Sequence, residues 1–155
     1  GRRNADEIAF WGRYLSGIPV TDDQGEHAAG PDAAVVVLGD LNADPRDGDG
    51  LHDAIGALLS HPRLQDPLPR SEGGAAAAGG VNAQHLGDPA HDTADWNDER
   101  GPGNLRVDYV LPDATLDVVD SGVFWPVEGA PLAVEAAISD HRLVWVDIRF
   151  APRND

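Results

Sequence analysis

The feature that most constrains this chain is the run GDLNADP at residues 39–45, which closes a short apolar stretch at residues 33–38. That stretch is rich in valine and bounded by proline and glycine, a pattern typical of a buried strand rather than a helix. Asp40 and Asn42 lie two residues apart just past it. Side chains at i and i+2 point the same way on extended backbone. We therefore expect the side chains of Asp40 and Asn42 to lie side by side at the end of the strand that meets solvent. There Asp40 can hold a water or a metal ion, and Asn42 can orient an oxyanion.

Two later runs, RVDYVL at residues 106–111 and SDHRLV at residues 139–144, also stand beside β-like stretches. Strands are depleted in aspartate, so Asp108 is expected to face a polar site, to pair with Arg106 or to lie on a solvent face. His141 supplies a group that titrates near neutrality. Each run alone is weak evidence for an active site, because Gly-Asp-x-Asn is common in turns and a single histidine is more often structural.

Taken together and in this order, the three runs resemble the endonuclease/exonuclease/phosphatase superfamily of DNase I-like phosphoesterases. The family pattern is a strand ending in GDxN, a strand carrying R-[IVL]-D-Y and a terminal SDHxx[VIL], and the resemblance covers residues 35–148. It implies an α/β (α+β) fold, as half of a four-layer α/β/β/α sandwich. The family's complete domain is longer, and its metal-binding Glu precedes GDxN. We therefore expect residues 1–155 to be the C-terminal portion of one domain, inactive without the N-terminal half as its partner.

The resemblance also implies a role for each matching residue. Asp40 resembles the aspartate that activates or positions the attacking water and binds metal, and Asn42 resembles its phosphate-orienting partner. Asp108 resembles an aspartate that supports a catalytic histidine, which in many members of the family comes from the N-terminal half. In the closing pair, Asp140 binds metal or orients the histidine, and His141 contacts the scissile phosphate or acts as a base.

The implied chemistry is hydrolysis of a phosphoester with Mg²⁺ or Mn²⁺, the hard divalent cations that carboxylates favour. The formal net charge is -16, and all 11 basic residues are arginines. Such acidity works against binding nucleic acid, so we expect a small phosphate ester as substrate. A nuclease, or a non-catalytic relative that binds a phosphorylated ligand or a protein, remains the alternative. Arg106 could clamp a phosphate bidentately or neutralise the acidic cluster.

Other features of the composition say less about fold and function. The chain has no cysteine, which excludes disulfides and thiolate sites. No apolar run approaches the ~20 residues of a membrane span. These features do not indicate the cellular compartment. The arginine-rich, lysine-free composition suits a GC-rich genome. We expect a soluble or secreted bacterial protein.

Periodicity predicts a helix over residues 4–15 with Asn4 as its N-cap, and a short helix ending near residue 59. Strands are predicted at residues 105–111, 116–124 and 143–150, besides the first one. The Gly/Ala-rich run at residues 71–80 is expected to be a mobile loop tip, with residues 85–100 nearer the site. Trp96 could line the substrate mouth or pin this loop to the core, and we favour pinning.

Overall fold

A computed structural model of the chain describes residues 1–150. Four helices are present in this part: α1 (Arg2–Leu15), α2 (His52–Leu59), α3 (Glu72–Ala76) and α4 (Ala133–Ala136). Two short 3-10 helices span Gly80–Gln84 and Pro89–His91. The strands are β1 (Val20–Thr21), β2 (His27–Ala28), β3 (Val36–Asp40), β4 (Ala94–Asp95), β5 (Asn104–Leu105), β6 (Asp108–Pro112), β7 (Asp117–Phe124) and β8 (Leu143–Arg149). This mixture agrees with the expected α+β class, and none of the described helices is long and apolar enough to cross a bilayer.

The strands predicted from periodicity are present, with one interruption. β3, β7 and β8 confirm three predictions to within a few residues at their ends. The strand predicted at residues 105–111 is instead split into β5 and β6. At the break, the amides of Arg106, Val107 and Asp108 donate to the side chains of Asp44 and Thr93 rather than to a neighbouring strand. Residues 151–155 of the predicted domain lie outside the described part.

The described strands form four two-stranded antiparallel sheets, β1–β2, β3–β6, β4–β5 and β7–β8. In the β3–β6 sheet the register places Val36 opposite Pro112 and Asp40 opposite Asp108. The β7–β8 sheet is the longest and carries a register shift between Val118 and Asp120. β8 also contacts β6, so the two longer sheets lie near one another.

The main core lies between helices α1 and α2 and one face of the β3–β6 sheet. Each element contributes apolar side chains at the spacing of its own period, and the fully or nearly fully buried ones are Ile8, Leu15, Val37, Ile55, Leu58, Tyr109 and Leu111. Burying a side chain of this size stabilises the fold by roughly 1.5–3 kcal/mol. The opposite face of β3 is open, and Leu38 on it is 66% exposed. The helices therefore fix the position of the strand end that carries Asp40.

The prediction of Asn4 as the N-cap of the first helix is wrong. Helix α1 begins at Arg2, with Gly1 at the N-cap, so Asn4 lies inside its first turn. Its Nδ2 donates to the carbonyl oxygens of Leu41 and Asn42, at 3.2 and 3.0 Å. Asn4 thus ties the helix to the GDLNADP loop, a contact that local capping rules do not predict.

The Gly/Ala-rich run is not a loop tip. Ser71 caps helix α3, since its Oγ accepts a hydrogen bond from the Gly74 amide at 3.1 Å. Gly73 and Gly74 are buried, and the Gly73 amide donates to the Trp125 carbonyl at 2.9 Å. Glycine is needed here because the backbone approaches Trp125 more closely than any side chain allows. A Cβ at position 73 would lie 2.3 Å from the Trp125 carbonyl oxygen.

This packing predicts that Gly73→Ala destabilises the protein. Overpacking of this kind typically costs ~1–3 kcal/mol. The matched control is Gly79→Ala in the same run, where an added Cβ meets nothing within 4 Å. Urea unfolding should show a lower midpoint for Gly73→Ala only. Equal midpoints for both variants would show that the run does not pack against Trp125.

Candidate functional site

Two carboxylates face each other across the β3–β6 sheet. Asp40 ends β3 and Asp108 begins β6, and the antiparallel register pairs them directly. Like charges opposite one another on neighbouring strands destabilise a sheet, so this pair needs a compensating positive charge. Asp40 is exposed and Asp108 is half-buried, which leaves the pair accessible from solvent.

His141 completes the cluster from the far end of the chain. Its Nδ1 lies 3.1 and 2.9 Å from the two carboxylate oxygens of Asp108. Because a carboxylate only accepts, Nδ1 carries the proton and Nε2 remains for another partner. Asp40, Asp108 and His141 each offer one ligand atom within 4.8 Å of the others, a spacing that can hold a metal ion. Three separate segments thus converge, as the sequence predicts.

The environment of His141 favours its charged form. Burial of the ring opposes the charge, but the hydrogen bond and negative charge of Asp108 outweigh it, with further contributions from Asp40 and Asp140. The pKa of His141 is therefore raised above its ordinary value. The imidazolium supplies one of the positive charges that the paired carboxylates require.

Asn42 contacts Asp40 through its backbone rather than its side chain. The Asn42 amide donates to Asp40 Oδ1 at 2.7 Å, and its φ of 46° lies in the left-handed region that asparagine tolerates. The backbone at Asn42 is therefore not extended, and the expectation that extended backbone aligns the side chains of Asp40 and Asn42 is wrong. The turn nevertheless fixes the Asp40 carboxylate, and the Asn42 side chain is exposed beside it.

Asp140 lies next to the cluster but is not one of its three members. Its Oδ2 accepts a hydrogen bond from the Trp96 indole at 2.9 Å. The Trp96 ring also meets the His141 ring edge-on, with centroids 5.5 Å apart. Trp96 therefore pins its loop, as we favoured, and it does so against the residues of the site.

Arg106 does not reach the site. Its guanidinium makes two hydrogen bonds to the Asp66 carboxylate, at 2.8 and 2.6 Å, and lies 4.7 Å from the centre of the Tyr109 ring. Only 6% of the residue is exposed. In a continuous strand Arg106 and Asp108 would share a face, but the break between β5 and β6 turns Arg106 away. The structure does not support its expected role as a phosphate ligand.

Thr93 is a positioning residue that the sequence did not reveal. It is fully buried, and its Oγ1 donates to Asp108 Oδ2 at 2.8 Å. The same oxygen accepts from the amides of Val107 and Asp108, at 3.0 and 2.9 Å. A threonine in an irregular segment has no spacing that could have marked it.

Arg142, beside His141 in the SDHRLV run, anchors the final motif. Its guanidinium donates to Asp95 Oδ2 at 2.6 Å and to the carbonyls of Ala136 and Ser139, and it lies over the Trp125 ring. Arg142 is buried, so it holds the loop that presents His141.

Comparison with known proteins gives one match. Over residues 18–141 the chain matches the family model described as Endonuclease/Exonuclease/phosphatase family. Because the match covers most of the sequence, the chain belongs to this family, which confirms the resemblance carried by the three runs. No curated protein and no solved structure matches the chain. Membership indicates a hydrolase of the nuclease or phosphatase kind.

We predict that Asp108→Asn lowers the pKa of His141 in the metal-free protein. The amide keeps the shape of the carboxylate but removes the charge that favours the imidazolium. NMR titration of the His141 ring protons in the presence of a chelator measures the change. Asp23→Asn, which removes a charge from an exposed turn, is the matched control. An unchanged or higher pKa in Asp108→Asn would contradict the assigned contact.

Thr93→Val is predicted to destabilise the fold, because two buried amides and one carboxylate lose their hydroxyl partner. Leaving buried polar groups unpaired costs about 1–3 kcal/mol each. Thr93→Ser keeps the hydroxyl and should retain most of the stability. The measurement is urea unfolding of both variants beside the parent protein. If valine and serine behave alike, the hydroxyl is not what holds this region together.

Proposed function

We propose that this chain carries part of the active site of a metal-dependent phosphoesterase. The observation that carries the proposal is the convergence of Asp40, Asp108 and His141 within 4.8 Å in a member of this family. Such a group combines hard oxygen ligands with a residue that can transfer a proton near neutral pH. Phosphoester hydrolysis needs both.

The donor set suits Mg²⁺ or Mn²⁺. Asp40 and Asp108 offer carboxylate oxygens, and their mutual repulsion is relieved by a cation between them. Asp140 remains a further proposed ligand through the oxygen that Trp96 does not contact. A divalent ion bound here would neutralise charge on the phosphoryl oxygens and lower the pKa of a bound water.

The protein groups then divide the remaining work. Asp40, held by the Asn42 amide, positions the attacking water. Asp108 fixes the His141 ring with Nδ1 protonated, so that Nε2 faces the reacting group and acts as an acid or a base. The exposed Asn42 carboxamide orients a phosphoryl oxygen. Positioning of this kind is effective because the contacts are formed before substrate arrives.

The partner that we propose for this chain is the N-terminal half of the same domain. Strand β3 buries Val37 against the helices, while Val36 and Leu38 on its other face are 37% and 66% exposed. An apolar strand face of this kind is suited to cover by a further layer. The four-layer sandwich, with both sheets completed, is the arrangement that we propose for the whole domain.

A small phosphate ester is the substrate class that we favour over nucleic acid. Within the described residues, none of the ion pairs joins an arginine to Asp40, Asp108 or Asp140. The site therefore offers little to the neighbouring phosphates of a strand, whose binding depends on lysine and arginine.

The test is hydrolysis of an aryl phosphodiester and an aryl phosphomonoester by the complete gene product, beside plasmid nicking. We expect turnover with Mg²⁺ or Mn²⁺ and none with a chelator. Asp40→Asn and His141→Ala should each lower the rate by roughly 10²–10⁴-fold, the typical contribution of an acid or base. The 155-residue chain by itself should show little or no activity.

Asp23→Asn serves as the control, since it removes one carboxylate from an exposed turn. Circular dichroism and unfolding midpoints establish that each variant is folded. Losses of only a few-fold in Asp40→Asn and His141→Ala would remove these residues from the mechanism. Binding of a phosphorylated ligand without turnover under any divalent metal would favour the non-catalytic alternative, and plasmid nicking would favour a nuclease.

A further inference from the structure

We propose that a cavity beside the site binds a positively charged organic group on the substrate. The inference rests on the proposed phosphoesterase function and concerns the part of the ester that is not phosphate. The cavity has a volume of about 550 Å³, large enough for a small organic group. It lies between the start of helix α1, the loop after β3 and the segment around Trp96.

Two of the lining residues connect the cavity to the site. Asn42 belongs to the site and to the cavity, because its backbone amide donates to Asp40 and it also forms part of the cavity wall. Trp96 also lines the wall, and its ring lies edge-on to His141. A phosphoester bound at Asp40 and His141 therefore extends one of its substituents into this cavity.

The negative charge of the cavity wall favours a positively charged substituent. Asp44, Asp47 and Asp49 line the cavity, and no arginine, lysine or histidine side chain from residues 1–150 does. Asp44 and Asp47 are held by backbone amides, whereas Asp49 is exposed and makes no hydrogen bond or ion pair with the described residues. An anionic group is repelled here, and a cation gains a free carboxylate.

The rest of the wall suits the body of an organic cation. Leu51, Leu105, Val107 and Pro102 provide apolar surface, and Trp96 provides an aromatic ring. Aromatic rings beside carboxylates attract ammonium groups, quaternary ones included, through the negative face of the ring. The substrate class is therefore a phosphate ester of an amino alcohol or a quaternary ammonium alcohol. A nucleotide chain, with a second phosphate close to the first, does not fit this charge pattern.

Paired substrates test the charge alone. The complete gene product is assayed with p-nitrophenyl phosphorylcholine and with p-nitrophenyl 3,3-dimethylbutyl phosphate, in which carbon replaces the ammonium nitrogen so that the substituent carries no charge. We expect kcat/KM to favour the cationic ester by roughly 2- to 30-fold, the range expected for a cation held by an aromatic ring. Asp49→Asn should reduce this ratio and Asp49→Arg should invert it, while the control Asp23→Asn should preserve it.

A binding measurement separates this inference from the proposed function. Choline chloride is added to ¹⁵N-labelled protein, and the Trp96 indole signal is assigned by its loss in Trp96→Phe. We expect choline, but not 3,3-dimethylbutanol, to shift this signal, and Asp49→Asn to weaken the response.

Each result bears on one of the two proposals. Equal hydrolysis of both esters, with no effect of Asp49, overturns the cationic pocket and leaves the phosphoesterase in place. Preference for thymidine 5′-monophosphate p-nitrophenyl ester also overturns it. If neither ester is hydrolysed and the aryl phosphomonoester and the plasmid also stay intact, the phosphoesterase proposal fails. A choline-dependent shift of the Trp96 signal then still supports the pocket, and its absence overturns the pocket as well.

Discussion

Thr93 is hydrogen-bonded through every one of its polar groups, and the site depends on these bonds. Its amide donates to the Leu105 carbonyl, and its carbonyl accepts from the Arg142 amide. Its hydroxyl accepts from two amides of the 107–108 segment and donates to the Asp108 carboxylate. One buried residue therefore joins the end of β5, the start of β6 and the segment that carries His141. Because Thr93 is fully buried, losing its hydroxyl leaves the buried Val107 amide without a partner, which is costly.

The acidic residues of the chain fall into groups with different electrostatic environments. Asp66 and Asp95 are each paired with a buried arginine, so their charges are balanced within the fold. Asp92 is paired with no arginine in the part of the chain that the structure describes, and burial together with the charges of nearby aspartates raises its pKa to about 7. Asp40 and Asp108 face each other at an open edge, with His141 as their protein counter-charge. The two carboxylates therefore repel each other at a solvent-accessible edge, and His141 balances their charge only in part. A cation is favoured at such a position.

The sequence predicted those parts of the fold that local periodicity determines. Strand β8 forms at the predicted residues, and helix α1 buries Ile8 and Leu15 on one face. The parts that failed depend on distant contacts. Arg106 leaves the site because side chains of residues 44 and 93 replace the ladder hydrogen bonds at the break, and no local pattern encodes that replacement. The Gly/Ala run is helical because Trp125, some 50 residues later, packs on it.

The distribution of arginine bears on the metal ion that we propose for the site. Arg63, Arg70, Arg106, Arg142 and Arg149 are each paired with an aspartate outside the cluster of Asp40, Asp108 and His141. The buried pairs hold segments in place, so their guanidiniums cannot turn to a phosphate without leaving an acid unpaired. A phosphate dianion approaching the site meets carboxylates and one imidazolium. Favourable binding then requires positive charge from outside these side chains, and the divalent ion that we propose for Asp40 and Asp108 would supply it.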